Sequence, residues 1–259
     1  MQKDDERFGI LISLPGAIVL FLWVIVPTII LLTTSFLRYD NMSPIVFNGV
    51  QNYSFALSDR VFWIAFKKTL IFCGGVTAVT FVIGMFIATS LSRIHKASNI
   101  SRSLAMFPWA VPAVVSGLIW SQMFNPSFGV INDLLVRQFG FLDEAMNIFG
   151  DPQFAMIGVI IADAWIRIPF MTIILLAGLE SIDQNLYEAA RVDGADRFQM
   201  LRHIVFPLIK KPALTGILIT AIFSFRTIDN IFSMTLGGPG KATYVFGFYI
   251  LDYIYRYFD

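Results

Sequence analysis

The chain has 259 residues, 56% hydrophobic and only 14% charged, against roughly 25% charged in a soluble globular domain. A water-soluble fold of this size cannot hide that much apolar surface, so the bilayer is its solvent. The net charge of +1 gives no pointer to nucleic acid, and the single cysteine, Cys73, excludes a disulfide framework and a cysteine metal site.

The N-terminus has a charged start and then an uncharged run over 8–37. A secretory signal has an apolar region of only roughly 7–15 residues, whereas roughly 20 residues cross a bilayer. The run is therefore read as an uncleaved first transmembrane helix at 9–37. Further apolar spans are predicted at 69–92, 103–124, 153–179 and 212–236. The first three spans carry no charge, the fourth contains Asp163 and Arg167, and the fifth contains Arg226 and Asp229. Pro108, Pro112, Gly117 and Pro169 fall inside spans, which membrane helices tolerate where neighbours satisfy the freed backbone groups.

Two polar loops follow even-numbered spans and share one side of the membrane. The first holds Arg93, Lys96 and Arg102, and the second, 180–211, holds Arg191, Arg197, Arg202, Lys210 and Lys211. The positive-inside rule makes that side the cytoplasm. The N-terminus then starts inside, and 38–68 and 125–152 face outside; Lys67 and Lys68, against the second span, run counter to the rule. His95 and His203, the only histidines, sit far apart in basic stretches and suggest no metal site. After Gly237 come turn residues and then an aromatic, amphipathic tail. Five spans place the C-terminus outside, and a sixth span is expected but missing from this chain.

The second polar loop carries more order than a connector needs. Over 181–206 it reads as two short helices broken at Gly194. Ile182, Leu186 and Ala189 recur at helical spacing before the break; Ala195, Phe198, Leu201 and Val205 recur after it. Gly194 can take the positive φ that ends a helix, and Asp196 can cap the next one. Pro207 and Pro212 are expected to end the helical pattern. A helix–Gly–helix with one apolar and one charged face suits docking of a soluble partner in a groove.

The charges inside the spans call for partners. Each ionised side chain at mid-membrane costs roughly 2.5–3.5 kcal/mol on insertion scales. Asp163 and Arg167 are four apart and form a ready intrahelical pair; Arg226 and Asp229, three apart, can pair likewise. Such charges either line a polar translocation path or staple helices together.

The loop also carries a motif. Glu-Ala-Ala, three residues, Gly, nine residues, Ile, one residue, an apolar residue and Pro is the signature loop of permeases in binding-protein-dependent ATP-binding-cassette importers. Glu188, Ala189, Ala190, Gly194, Ile204 and Pro207 stand in register, with Phe206 where Leu is usual. AWIRIPFMTIILLAGLESIDQNLYEAARVDGA, PWAVPAVVSGLIWSQMFNPSFGVIN and IDNIFSMTLGGPGKAT resemble the carbohydrate, maltose-type branch of that family. The resemblance covers nearly the whole chain.

It implies an all-α polytopic protein with the type I importer permease fold and about six transmembrane helices. Residues 1–259 would form a single transmembrane permease domain, with 180–211 its cytoplasmic coupling loop. Tyr187, Glu188, Ala189, Ala190, Asp193, Gly194 and Ala195 would then dock in a cleft of the ATPase subunit. Implied partners are two ABC ATPase subunits, a second permease, an extracytoplasmic solute-binding protein and the lipid bilayer. ATP would be bound by the partners, and this chain would hold no cofactor and no metal. The solute would be a sugar or oligosaccharide, moved across the cytoplasmic membrane by alternating access. Its contacts would come from Asp163, Ile166, Arg167, Phe170, Thr220, Ser224 and Ala113, with Trp165 and Trp120 as further rings. No phosphate-cradling Gly-Lys-Ser/Thr loop, no Ser/His/Asp set and no HExxH occurs, so no enzyme is read here. Two alternatives stay open: the same machinery for a sugar acid or phosphorylated polyol, with Arg167 and Arg226 on the anion, and an ion-coupled secondary transporter using Asp163.

Overall fold

The structure, a computed structural model, describes residues 2–38, 44–92 and 106–258, with the backbone alone at 2–7, 9, 10 and 256–258. The basic loop with Arg93, His95, Lys96 and Arg102 lies outside the described residues. The chain divides into two compact units, residues 1–63 with 252–259, and residues 64–251.

In the first unit, α1 (Gln2–Leu20), a π turn (Phe21–Ile25) and α2 (Val26–Thr34) run on as one helix. Its stretch Leu11–Thr34 is long and apolar enough to cross a membrane, in accord with the predicted first span. A two-stranded hairpin, β1 (Leu37–Arg38) and β2 (Val46–Phe47), pairs Leu37 with Phe47 and Arg38 with Val46. The helix α3 (Gln51–Ser58) follows. Its Asn52 donates to the carbonyls of Ser35 and Leu37, both at 2.9 Å, and so ties α3 to the end of the span.

The long helix α4 (Arg60–Ser92) has 33 residues, so the predicted second span starts nine residues late and Lys67 and Lys68 lie within the helix. The predicted third span, 103–124, is not one helix. From residue 106 onward it is a 3-10 turn (Phe107–Ala110) and then α5 (Ala113–Met123), only 11 residues long. Pro108 and Pro112 are the cause, since neither can donate a backbone hydrogen bond. A short α6 (Val130–Asp133) leads to α7 (Ala155–Glu180), the fourth predicted span and the most buried helix.

The loop helices α8 (Gln184–Val192) and α9 (Arg197–Met200) come next. A second π turn (Leu201–Val205) then joins α9 to α10 (Phe206–Arg226), giving a continuous helical stretch of 30 residues. Pro207 and Pro212 therefore lie inside helix rather than ending it. The π turn supplies the reason: Phe206 N–H bonds back to the Leu201 carbonyl, five residues away. The wider turn gives the ring of the following proline room it lacks in a regular helix. The first span repeats the device, with the Val26 N–H on the Phe21 carbonyl just before Pro27. Pro212 is accommodated differently, against Gly178 of α7, where a Cβ would lie 2.7 Å from the proline ring.

The fifth predicted span, 212–236, breaks after Arg226. Thr227 is extended (φ −68°, ψ 129°), and α11 (Asp229–Met234) is a separate short helix. Arg226 and Asp229 are thus on different elements, both exposed, and no ion pair joins them. A turn with positive φ at Leu236, Gly237, Gly240 and Lys241 precedes α12 (Phe246–Phe258). Among the described residues four helical stretches are long and apolar enough to cross a membrane, not five.

Close contact through small residues packs the second unit, as membrane helices require where the hydrophobic effect is weak. At Gly117 of α5 an added Cβ would fall 1.9 Å from Ser233 Oγ and 3.1 Å from the Asn230 carbonyl of α11. At the loop end of the helices, Ala88, Met171, Leu175, Leu176, Leu179, Ile182, Val205, Ile209 and Ala213 form one buried cluster.

Candidate functional site

The loop is fixed by three local devices. Asp183 caps α8 by accepting the Asn185 N–H at 2.9 Å. At the other end Gly194 has φ +79°. Ala195 N–H reaches the Ala190 carbonyl at 2.9 Å and Gly194 N–H the Arg191 carbonyl at 3.1 Å. This pair of bonds is a Schellman closure, which glycine makes without strain. Asp196 and Gln199 then form a reciprocal capping box, at 2.8 and 2.9 Å, that starts α9. The break at Gly194 and the cap at Asp196 match the sequence reading. Ile182 and Ala195 precede their caps and so lie outside the helices whose apolar stripes they were read into.

These devices give α8 two faces. Gln184, Tyr187 and Arg191, at i, i+3 and i+7, line a cavity against the chain's own helices. Burial pushes the Tyr187 phenol up. The opposite face presents Asn185, Glu188, Ala189 and Val192 outward, with Val192 87% exposed. Across the turn Phe198 is 68% exposed. Asp193 and Gly194 are exposed, while Ala190 and Ala195 are half-buried. Two prominent apolar side chains on a polar loop suit a partner surface.

The second cluster lies near the middle of α7. Asp163 is 1% exposed. Its Oδ2 accepts from Arg167 Nε at 2.6 Å, and its Oδ1 accepts from Arg167 Nη2 at 3.1 Å and from Asn230 Nδ2 at 2.9 Å. Arg167 also donates to Thr227 Oγ1 and lies 5.9 Å from the Phe223 ring centre. Both Thr227 and Asn230 stand at the break between α10 and α11, so the pair on α7 fastens that break. Neither residue was singled out in the sequence; a lone Asn and Thr flanking a polar interruption in an apolar run were the available signal. Every oxygen of the Asp163 carboxylate is occupied, which is the satisfaction a buried charge requires.

Around this core, Ile166, Phe170 and Ala113 are half-buried. Phe170 stacks on Trp109 at 6.4 Å, and Trp165 meets Trp120 edge-on at 6.2 Å. Thr220 and Ser224 are buried, and their hydroxyls have no protein partner; the same holds for Thr80 and Ser116. Among the described residues no group of three or more His, Cys, Asp or Glu side chains could hold a metal.

Helices of membrane-crossing length around a buried ion pair, with a rigidly capped helix–Gly–helix at one end, define a multi-pass membrane transport protein. The chain belongs to the family of binding-protein-dependent transport system inner membrane components, whose model matches residues 80–258. It is 34% identical, over 94% of its length and 82% of the relative's, to the trehalose/maltose transport system permease protein of Thermococcus litoralis. It is 31% identical, over 96% of its length and 81% of the relative's, to the sulfoquinovosyl glycerol transport system permease protein of Agrobacterium fabrum. The same fold is found in a bacterial alginate ABC transporter solved in complex with its alginate pentasaccharide-bound periplasmic protein. There the TM-score is 0.77 at 23% identity, over 99% of this chain and 86% of that one. The fold is that of type I importer permeases, and the chain is a permease subunit of a binding-protein-dependent ABC importer, not an enzyme. A solute-binding protein is accordingly its partner.

Proposed function

We propose that this permease moves a sugar or oligosaccharide across the cytoplasmic membrane by alternating access, paired with a second permease and driven by two ABC ATPase subunits. The carbohydrate reading rests on the two relatives, whose names give a disaccharide system and a sugar–glycerol system. The observation that carries the coupling reading is the outward face of α8, with Glu188, Ala189 and Val192 held at fixed orientation by the Gly194 closure and the Asp196 box. A rigid helix can transmit a push from a partner; a flexible loop cannot. Small Ala189 permits close approach, and Glu188 offers a carboxylate to basic partner residues. ATP stays with the ATPase subunits.

Along the path, Arg167, Ile166, Phe170, Thr220, Ser224 and Ala113 are the solute contacts we favour, with Asp163 acting behind Arg167. Asp163 neutralises Arg167, so the pair presents hydrogen-bond donors with little net charge to a sugar. Full engagement of the Asp163 carboxylate by Arg167 and Asn230 also weighs against a proton- or ion-coupled role for it. The test is purification of the tagged chain from native membranes in mild detergent, with Glu188→Lys in parallel. Recovery of an ATPase and a second permease, lost on Glu188→Lys, is expected; recovery of the chain alone would overturn the reading.

A further inference from the structure

Beneath α8 lies a cavity of about 400 Å³. It sits where α4 ends at Ser92, α7 ends at Glu180 and the α9–α10 helix begins, at the end of the apolar spans that carries the loop helices. Its polar wall holds Gln184, Tyr187 and Arg191 from α8 and Arg197 from α9. The reversal at Gly194 is what brings the two arginines, six positions apart in sequence, to the same cavity. Its floor is apolar, with Leu179, Leu201 and Val205. Among the described residues Glu180 is the only carboxylate in the lining, against two guanidinium groups. Neither arginine has an ion-pair partner among the described residues.

Two guanidinium groups facing one carboxylate above an apolar floor are a specific chemical offer. Guanidinium matches phosphate oxygens bidentately, and basic pockets between membrane helices on the cytoplasmic side receive anionic lipid headgroups. A soluble anion would need the arginines but not the floor, and an acyl chain the floor but not the arginines. We propose that this cavity holds the phosphate of an anionic phospholipid, with Arg191 and Arg197 on the phosphate and the acyl chains leaving over Leu179 and Leu201. The lipid would wedge the inner face of α8 while its outer face stays free for a soluble partner. The site stands independently of which solute is transported.

The test is native mass spectrometry of the full chain, with its co-purifying subunits, in a neutral detergent. The probes are dioctanoyl phosphatidylglycerol, dioctanoyl phosphatidylcholine and inorganic phosphate. Phosphatidylglycerol is expected to bind best. Arg191→Gln and Arg197→Gln should each weaken it about fivefold, the effect of one basic residue at an anionic membrane surface. Gln184→Lys should tighten it by a similar factor, a gain that a misfolded variant could not give. Arg202→Gln, basic and exposed but outside the lining, should leave it unchanged. Equal binding of the two lipids, or equal loss with Arg202→Gln, would overturn the site. Displacement of the lipid by equimolar inorganic phosphate would overturn the lipid as its occupant.

Discussion

Arg167 holds the Asp163 carboxylate from one turn away with two hydrogen bonds, Nε to Oδ2 at 2.6 Å and Nη2 to Oδ1 at 3.1 Å. The pair lies at the middle of α7, with Asp163 buried and the Arg167 side chain 19% exposed. Breaking a buried pair from one side typically costs roughly 3–5 kcal/mol, because the other charge is left uncompensated, whereas replacing both with apolar groups is often nearly neutral. Arg167→Met should therefore lower the thermal midpoint in detergent sharply, and Asp163→Leu combined with Arg167→Met should recover most of the loss. A double variant as unstable as the single one would mean that the pair itself, rather than its charge balance, holds α7.

Asn230 extends the pair to the α10–α11 break by donating to Asp163 Oδ1 at 2.9 Å. A hydrogen bond to a charged group contributes about 1.5–3 kcal/mol. Asn230→Ala should lose about that much. Asn230→Asp should lose more, since it sets a second carboxylate against the first where only one guanidinium is at hand. Chemical denaturation of the three proteins, read by tryptophan fluorescence, gives the order expected: wild type, Asn230→Ala, Asn230→Asp.

How far these features were legible from sequence follows from how local their causes are. The Gly194 break and the Asp196 cap were readable because each is set within a few residues. The pairing of Asp163 with Arg167 was readable because helical spacing alone brings them together. Its link to Asn230 was not, since it joins residues 67 apart in the chain. Hydropathy also misplaced the ends of spans. It cannot see that Pro108 and Pro112 shorten α5, that Thr227 breaks the fifth apolar run between Arg226 and Asp229, or that a π turn lets α10 continue past Pro207.

Gly117 marks the closest crossing of α5 and α11. A methyl there meets Ser233 Oγ at 1.9 Å, with Ser233 Cβ at 3.2 Å and the Asn230 carbonyl at 3.1 Å. The hydroxyl can rotate away, but the backbone carbonyl cannot. Overpacking of this kind typically costs about 1–3 kcal/mol. Gly117→Ala should be destabilised in that range, and Ser233→Ala in the same chain should relieve part of it. Gly117→Leu should not be rescued by Ser233→Ala. Thermal midpoints of the wild type and the four variants, measured in one detergent, check the crossing.

Gly194 separates loop geometry from helix stability. Nothing lies within 4 Å of a Cβ built there, so a substitution meets only the strain of φ +79°. For an ordinary residue the left-handed conformation costs roughly 1–2 kcal/mol, and Asn bears it best. Gly194→Asn should keep sugar uptake in reconstituted vesicles near wild type, Gly194→Ala should reduce it, and Gly194→Val should reduce it furthest. The spans lie outside the strained turn, so the thermal midpoint of the membrane core should hardly move across the series. Asp196→Ala, which removes a helix cap worth about 1 kcal/mol, should fall between Gly194→Asn and Gly194→Val. A series in which uptake follows the midpoint instead would assign Gly194 to folding and remove it from the transmission of force.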